Sequence, residues 1–431
     1  MWTALLGFAV AIALIFIRVP VAVALGSVGF LGFTMVKGLT PSGSMVALVT
    51  SGTTMSYHLA VIPLFILMGN LVARAGVAAE LYRAAQAFIG HWRGGLALAT
   101  VVSCAGFAAV CGSSVATAVT MGKVAIPSMR KFGYADRLSA ATVASGGTLG
   151  ILIPPSIIMV VYGVQTETHI GMLFAAGFVP GLIGVIGYAL AVRWTVYRHP
   201  DSAPVAGRST MAEKLAAIRD IWTVVLLFVI VLGGIYTGWF TAAEAGGIGA
   251  VGAFVIALGR RIGFAALRAV FEDSVRTTAV LFALILGATL FAEFINVTGA
   301  HQAVLALVGA EGLSPVLVIV TITLIYIVLG CVLDSIAMML LTLPLFFPIV
   351  MGLGYDPVWF GIYVVILVEL GLITPPIGMN LFILRSVIPD VSLGTIIRGI
   401  IPFVISDIFR VIIIIVFPGL ALWLPRLFYG G

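Results

Sequence analysis

Apolar residues run along this chain in long blocks separated by short polar stretches. Blocks of about the length that crosses a bilayer, roughly 20 residues, lie near 1–17, 20–36, 57–73, 138–163 and 171–192. A second set lies near 221–239, 243–258, 275–295, 358–384 and 400–424. Two further runs, about 96–127 and 315–350, are too long for one crossing. Each has a polar break in its middle, Gly112-Ser113-Ser114 in the first and Asp334-Ser335 in the second. A segment that enters half-way, turns on polar residues and returns has this pattern, so two re-entrant hairpins are predicted.

The pattern repeats. Pro154-Pro155 and Pro375-Pro376 are 221 positions apart, and the same offset relates Pro127 to Pro348 and Gly133-Tyr134 to Gly354-Tyr355. Each Pro-Pro pair falls inside an apolar block, at about 138–163 and 358–384. Proline removes backbone hydrogen bonds that no water replaces at membrane depth. Such a break survives only where it is buried in protein or lines a cavity. Matching breaks in two halves are the best sequence pointer to a transporter's binding site.

Composition sets the class. Apolar residues make up 62% of the 431 positions and charged residues 9%, against about 25% charged in a soluble domain. The expectation is an all-α polytopic membrane protein. Residues 1–17 carry no charge, and no basic segment precedes them, which reads as a retained first span rather than a signal peptide. With the N-terminus outside, all but Lys37, Lys123, Arg410 and Arg426 of the 22 Lys and Arg lie in cytoplasmic loops, as the positive-inside rule requires. Each half then has five spans and one hairpin. Five is odd, so the halves are oppositely oriented: residues 1–192 form one inverted repeat and 221–431 the other. Residues 193–220 are a cytoplasmic linker, with a short amphipathic surface helix at 211–220.

Candidate chemistry gathers at the hairpin tips and the breaks. Gly and Pro unwind a helix and free carbonyl oxygens, while Ser113, Ser114, Thr117, Thr148, Ser156, Thr374, Asn380, Asp334 and Ser335 add side-chain oxygens. Hard oxygen ligands with few fixed charges suit Na⁺ better than a divalent metal. The helix N-termini just past each break attract a carboxylate. Asp334 and Glu369 lie within membrane segments, where a charge is costly and marks a functional site by default. Asp334 is read as a cation ligand or helix cap, and Glu369 as a proton site or a group that orders its loop. Structural readings lead for Glu244, for Lys123 near the cytoplasmic surface, and for Asp407 with Arg410, which stand three apart and neutralise each other. The histidines and the three cysteines show no metal or disulfide spacing, and the tryptophans mark membrane interfaces. No Gly-x-x-x-x-Gly-Lys-Ser/Thr, His-Glu-x-x-His or Gly-x-Ser-x-Gly motif occurs, so nothing points to an enzyme.

At these motifs the chain resembles the large membrane subunit of tripartite ATP-independent periplasmic (TRAP) transporters. The likeness rests on Gly-Ser-Ser-Val-Ala-Thr-Ala (112–118), Ile-Pro-Ser-Met-Arg-Lys-Phe-Gly-Tyr (126–134) and Ile-Pro-Pro-Ser-Ile (153–157). It continues in Leu-Asp-Ser-Ile (333–336), Gly-Tyr-Asp-Pro-Val-Trp-Phe-Gly (354–361) and Gly-Leu-Ile-Thr-Pro-Pro-Ile-Gly-Met-Asn (371–380). The resemblance implies a scaffold and an elevator-type transport domain carrying both hairpins, in the bacterial or archaeal inner membrane. It implies Na⁺-driven import of an organic acid, a C4-dicarboxylate, sialic acid or similar carboxylate, delivered by a periplasmic binding protein. A small four-span membrane subunit completes the family's complex and is expected as a separate chain. Carried over, the Na⁺ sites map to Ser113, Ser114, Gly147, Thr148 and Gly150 in one half and Asp334, Ser335, Gly371, Thr374 and Gly378 in the other. Substrate maps to Thr117, Pro155, Ser156, Pro376 and Asn380. The alternative reading is a stand-alone ion-coupled carboxylate carrier or Na⁺/H⁺ antiporter of the same architecture, working without a soluble partner.

Overall fold

The computed structural model describes residues 2–310, 312 and 314–430. All regular structure in these residues is helical. The first half contains α1 (Trp2–Phe16), α2 (Val21–Lys37), α3 (Leu39–Thr54), α4 (Val61–Arg74) and α5 (Val77–Ile89). It continues with α6 (Gly95–Cys111), α7 (Ser114–Lys131), α8 (Asp136–Thr148), α9 (Ile157–Thr166) and α10 (Ile170–Arg198). The second half contains α11 (Met211–Tyr236), α12 (Ala242–Gly259), α13 (Phe264–Thr298), α14 (Ala300–Ala310) and α15 (Pro315–Gly330). It ends with α16 (Ser335–Gly352), α17 (Pro357–Ile373), α18 (Met379–Val387), α19 (Leu393–Val416) and α20 (Gly419–Tyr429).

Helix boundaries recur at the sequence offset. Adding 221 to the bounds of α7, 114–131, gives 335–352, the bounds of α16. The bounds of α2, 21–37, become 242–258, against 242–259 for α12. Gly133 and Gly354, which follow the two hairpins, both have positive φ, 78° and 83°, and both Pro-Pro peptides are cis.

Four readings change on contact with the structure. Helices α3, α5 and α14 were not foreseen, because none of them is a long apolar run. Residues 211–220 do not form a separate surface helix. They are the first turns of α11, which starts at a capping box between Thr210 and Glu213 and continues to Tyr236. Because α10 also extends to Arg198, the connection between these helices is 199–210 rather than 193–220. The run 400–424 divides into α19 and α20 at Phe417-Pro418, where proline disfavours the α conformation of the residue before it; Phe417 has φ −123° and ψ 71°.

The halves interlock. Helix α2 packs along α13, and α4 along α12. At the α2–α13 crossing a Cβ on Gly29 would lie 2.5 Å from the Leu290 backbone, so only glycine permits this approach. Hairpin arm α7 packs on α18 of the other half, α16 packs on α9, and α8 meets α17. Residues 358–373 of α17 are all buried, as expected of a helix that is apolar on every side. Among the described residues, seven helices are long and apolar enough to span a membrane. Large apolar side chains such as Leu182, Ile186 and Leu190 on α10 and Val251 and Val255 on α12 stay exposed, which suits a surface solvated by lipid rather than water.

Candidate functional site

In the first half the α6–α7 tip turns at Gly112, which has φ 62°. Ser113 then caps α7 by accepting a hydrogen bond from the Ala116 amide, as Ser does at helix starts. The Thr117 hydroxyl donates to the Ser113 carbonyl at 2.7 Å. Helix α8 stops at Thr148 and is followed by a tighter turn, Leu149–Ile151, and the Pro-Pro pair. This break lies against the hairpin tip. A Cβ on Gly150 would be 3.1 Å from both the Ser113 carbonyl oxygen and Thr117 Oγ1, and one on Gly112 would be 3.0 Å from the Pro155 carbonyl oxygen. A Cβ on Gly147 would likewise lie 2.9 Å from Ala118 Cβ. Ser156 caps α9 through the Met159 amide and donates to the Ile151 carbonyl at 2.5 Å. Ser114, Thr117, Gly147, Thr148, Gly150, Pro155 and Ser156 are all buried.

The second half has the same plan with different chemistry. Asp334, at 113 + 221, caps α16, its Oδ1 accepting from the amides of Ile336 and Ala337 at 3.0 and 3.1 Å. Helix α17 ends at Ile373, and Thr374 turns back with its hydroxyl donating to the Leu370 carbonyl at 2.6 Å. Tip and break meet through backbone: a Cβ on Gly371 would lie 2.7 Å from Gly330 Cα. The Cys331 thiol also reaches the Pro375 carbonyl at 3.5 Å. Gly378 precedes α18 at φ 55°, and Ser335 is half-buried. Unlike Pro155, Pro376 is exposed.

The two breaks also touch each other. Buried Asn380 donates its side-chain amide to the Ala144 carbonyl on α8 at 3.2 Å, while its Oδ1 has no hydrogen-bond donor. A second link is ionic. Arg410 on α19 pairs with Asp407 at 2.8 Å, as sequence spacing suggested, and with Glu369 on α17 at 2.6 Å, which it did not. Asp407 accepts from the Tyr188 hydroxyl on α10 at 2.7 Å, and Tyr188 in turn meets Thr148 Oγ1 at 3.0 Å. All five residues are at most 2% exposed. Arg410 Nη2 serves both carboxylates, and its Nε and Nη1 find no acceptor. Sequence reasoning missed Tyr188 as a member, because nothing local distinguishes it from an interface tyrosine.

Other singled-out residues lie outside this cluster. Glu244 caps its own helix, accepting from the Thr241 amide at 2.8 Å and hydroxyl at 2.9 Å. Lys123 is exposed on α7. A cavity of about 740 Å³ near the α9–α10 turn, lined by His58, Glu167, Thr168, His169 and Tyr429 among others, contains none of the residues assigned to ions or substrate.

Comparison with known proteins places this arrangement. The sequence pattern of the family described as "Tripartite ATP-independent periplasmic transporter, DctM component" matches residues 8–420. The chain is 40% identical over 376 residues to the C4-dicarboxylate TRAP transporter large permease protein DctM of Pseudomonas aeruginosa, covering 87% of each. It is 32% identical over 419 residues to the ectoine TRAP transporter large permease protein TeaC of Halomonas elongata, covering 96% of this chain and 97% of that one. In fold it is similar to the crystal structure of the Alcanivorax borkumensis YdaH transporter, with a TM-score of 0.66, 17% identity and 90% of each chain covered. The chain belongs to the DctM family, the large permease proteins of tripartite ATP-independent periplasmic transporters.

Proposed function

We propose that this permease imports an organic acid by Na⁺ symport, a C4-dicarboxylate being the first candidate by likeness to the Pseudomonas aeruginosa protein. The observation that carries this reading is the contact of each hairpin tip with its own break, made on the break side at Gly150 and Gly371, which are 221 apart. The Ser113 carbonyl and Thr117 Oγ1 flank Gly150 in one half, and Gly330 abuts Gly371 beside the Asp334 cap in the other. Each clamp joins helix C-termini, whose partial negative charge favours a cation, to the N-terminal ends of α7, α9, α16 and α18, which favour a carboxylate. Carbonyl and hydroxyl oxygens in the first clamp suit Na⁺. In the second, Asp334 uses Oδ1 for both amides, which leaves Oδ2 for a cation. The substrate carboxylate lies between the tips, near Thr117, Pro155, Ser156, Pro376 and Asn380.

In this reading the halves form an inverted repeat with the N-terminus outside the inner membrane. The hairpins and broken helices move as an elevator against a scaffold that includes the interlocked α2, α4, α12 and α13. The membrane potential contributes about 2.3 kcal/mol per net charge moved per 100 mV; two Na⁺ with a dianion move no net charge and draw on the Na⁺ concentration gradient alone, and each further Na⁺ adds the potential. A periplasmic binding protein and a small membrane subunit complete the tripartite assembly. Relatives named for dicarboxylate and for ectoine are similar in sequence to this chain over most of its length, which suits substrate choice resting largely with the binding protein.

The test is uptake into proteoliposomes containing permease, small subunit and binding protein, with an inward Na⁺ gradient. Accumulation that requires all three proteins and Na⁺ supports the reading. Accumulation unaffected by replacing Na⁺ with K⁺ rejects symport, and accumulation by the permease alone favours a stand-alone carrier.

A further inference from the structure

Thr148 and Glu369 are repeat equivalents, 148 + 221 = 369, and each stands just before its break. They are chemically unlike, yet both end in one cluster. Thr148 reaches it through Tyr188 at 3.0 Å and Glu369 through Arg410 at 2.6 Å, while Asp407 joins Tyr188 to Arg410 at 2.7 and 2.8 Å. The cluster draws on α8, α10, α17 and α19 and is buried throughout. Room for it is built in, because Gly184 on α10 lies against the guanidinium, where a Cβ would collide with Arg410 Nη1.

We propose that Tyr188 and Arg410 are positioning residues that couple the two cation clamps, so that filling one orders the other. This inference rests on the Na⁺ reading above. Asn380, bonded to the Ala144 carbonyl at 3.2 Å, links the breaks directly, and the Tyr188–Asp407–Arg410 chain is a second link, running through α10 and α19. Residues 149–151, which follow Thr148, form the turn that faces Ser113 and Thr117. Gly371, two residues past Glu369, is the backbone contact with Gly330. Shifting either break pulls on a polar bond inside an apolar surround, where the freed groups find no substitute. The energy of that bond is therefore shared by both clamps. Sharing of this kind is a coupling free energy, and by linkage it acts equally in both directions. Hydrogen-bonded chains of this sort are physical carriers of coupling where two discrete arrangements exist.

The experiment is Na⁺ titration of the purified full-length permease, read as Na⁺-specific thermal stabilisation and as ²²Na⁺ binding, with K⁺ replacing Na⁺ at constant ionic strength. Wild type is expected to give a sigmoidal curve with a Hill coefficient approaching about two, the number of coupled sites. Tyr188→Phe removes one oxygen and keeps the ring; it is expected to bind the same amount of Na⁺ with a Hill coefficient near one. Arg410→Lys provides a second variant that keeps the charge but not the shared geometry, and the same loss of sigmoidicity is expected. A wild-type coefficient of one, or variants as sigmoidal as wild type, overturns the inference and leaves the symport reading intact. Absence of any Na⁺-specific response in wild type overturns both.

Discussion

Asn380 on α18 donates to the carbonyl of Ala144 on α8 at 3.2 Å, so a side chain from one broken span is bonded to the backbone of the other. Asn380 is fully buried. Replacement by Ala removes a hydrogen bond of about 0.5–1.5 kcal/mol. Replacement by Asp sets an acceptor against an acceptor and costs more. Thermal unfolding in detergent should rank wild type above N380A and N380A above N380D. If N380D proves the more stable variant, donation to Ala144 is not what this residue contributes.

Gly330 and Gly371 bring hairpin tip and break together with no side chain between them. Gly371→Ala would place a methyl 2.7 Å from Gly330 Cα, and a clash with backbone cannot be relieved by a rotamer change. Overpacking of this kind costs about 1–3 kcal/mol, with loss of transport as the tip is displaced. Gly247→Ala is the control, because its nearest neighbour is a flexible Leu64 methyl at 4.0 Å. Equal uptake by both variants would show that the tip-to-break contact is not required.

Asp334 combines a helix cap with a half-buried carboxylate at the start of α16. Asn caps a helix as well as Asp does, whereas Ala forfeits roughly 0.5–2 kcal/mol. Asp334→Asn should therefore keep the thermal stability measured without Na⁺ while weakening Na⁺ dependence, and Asp334→Ala should lose both. A D334N variant with unchanged Na⁺ affinity would confine Asp334 to capping.

Arg130 at the end of α7 binds Asp136 at the start of α8 at 2.6 Å and Asp390, in the α18–α19 connection, at 2.5 Å. One guanidinium thus ties the hairpin's returning arm to the other half. Arg130 holds the Asp390 carboxyl below its usual value. A lowered carboxylate contributes stability that is complete above the ordinary carboxylate range and is lost as pH falls through the lowered value. Asp390→Asn should lower the unfolding temperature slightly at neutral pH, with a gap that narrows at high salt and on acidification. A gap that widens in acid would contradict this pairing.

Much of this architecture could be read from local pattern. Gly112-Ser113 and Asp334-Ser335 marked the hairpin turns because polar residues interrupt runs that are otherwise apolar, and Asp407 and Arg410 paired as their three-residue spacing implies. Helices α3, α5 and α14 escaped because they are short and not uniformly apolar, and a search for long hydrophobic runs passes over them. Glu369 meets Arg410 across 41 positions and Tyr188 meets Asp407 across 219. No periodicity within a single helix encodes such pairs. The exposure of Pro376 against the burial of Pro155 was equally hidden, since both sit in the same sequence motif and differ only in what surrounds them.

The crossing of α2 with α13 and of α4 with α12 has a consequence for biogenesis. Helices inserted early in synthesis find their permanent neighbours only after the later ones leave the translocon, so the nascent first half must wait in the bilayer as an unfinished product. Gly29, which admits the α13 backbone so closely, leaves a notch on α2 that stays unfilled by protein until α13 arrives.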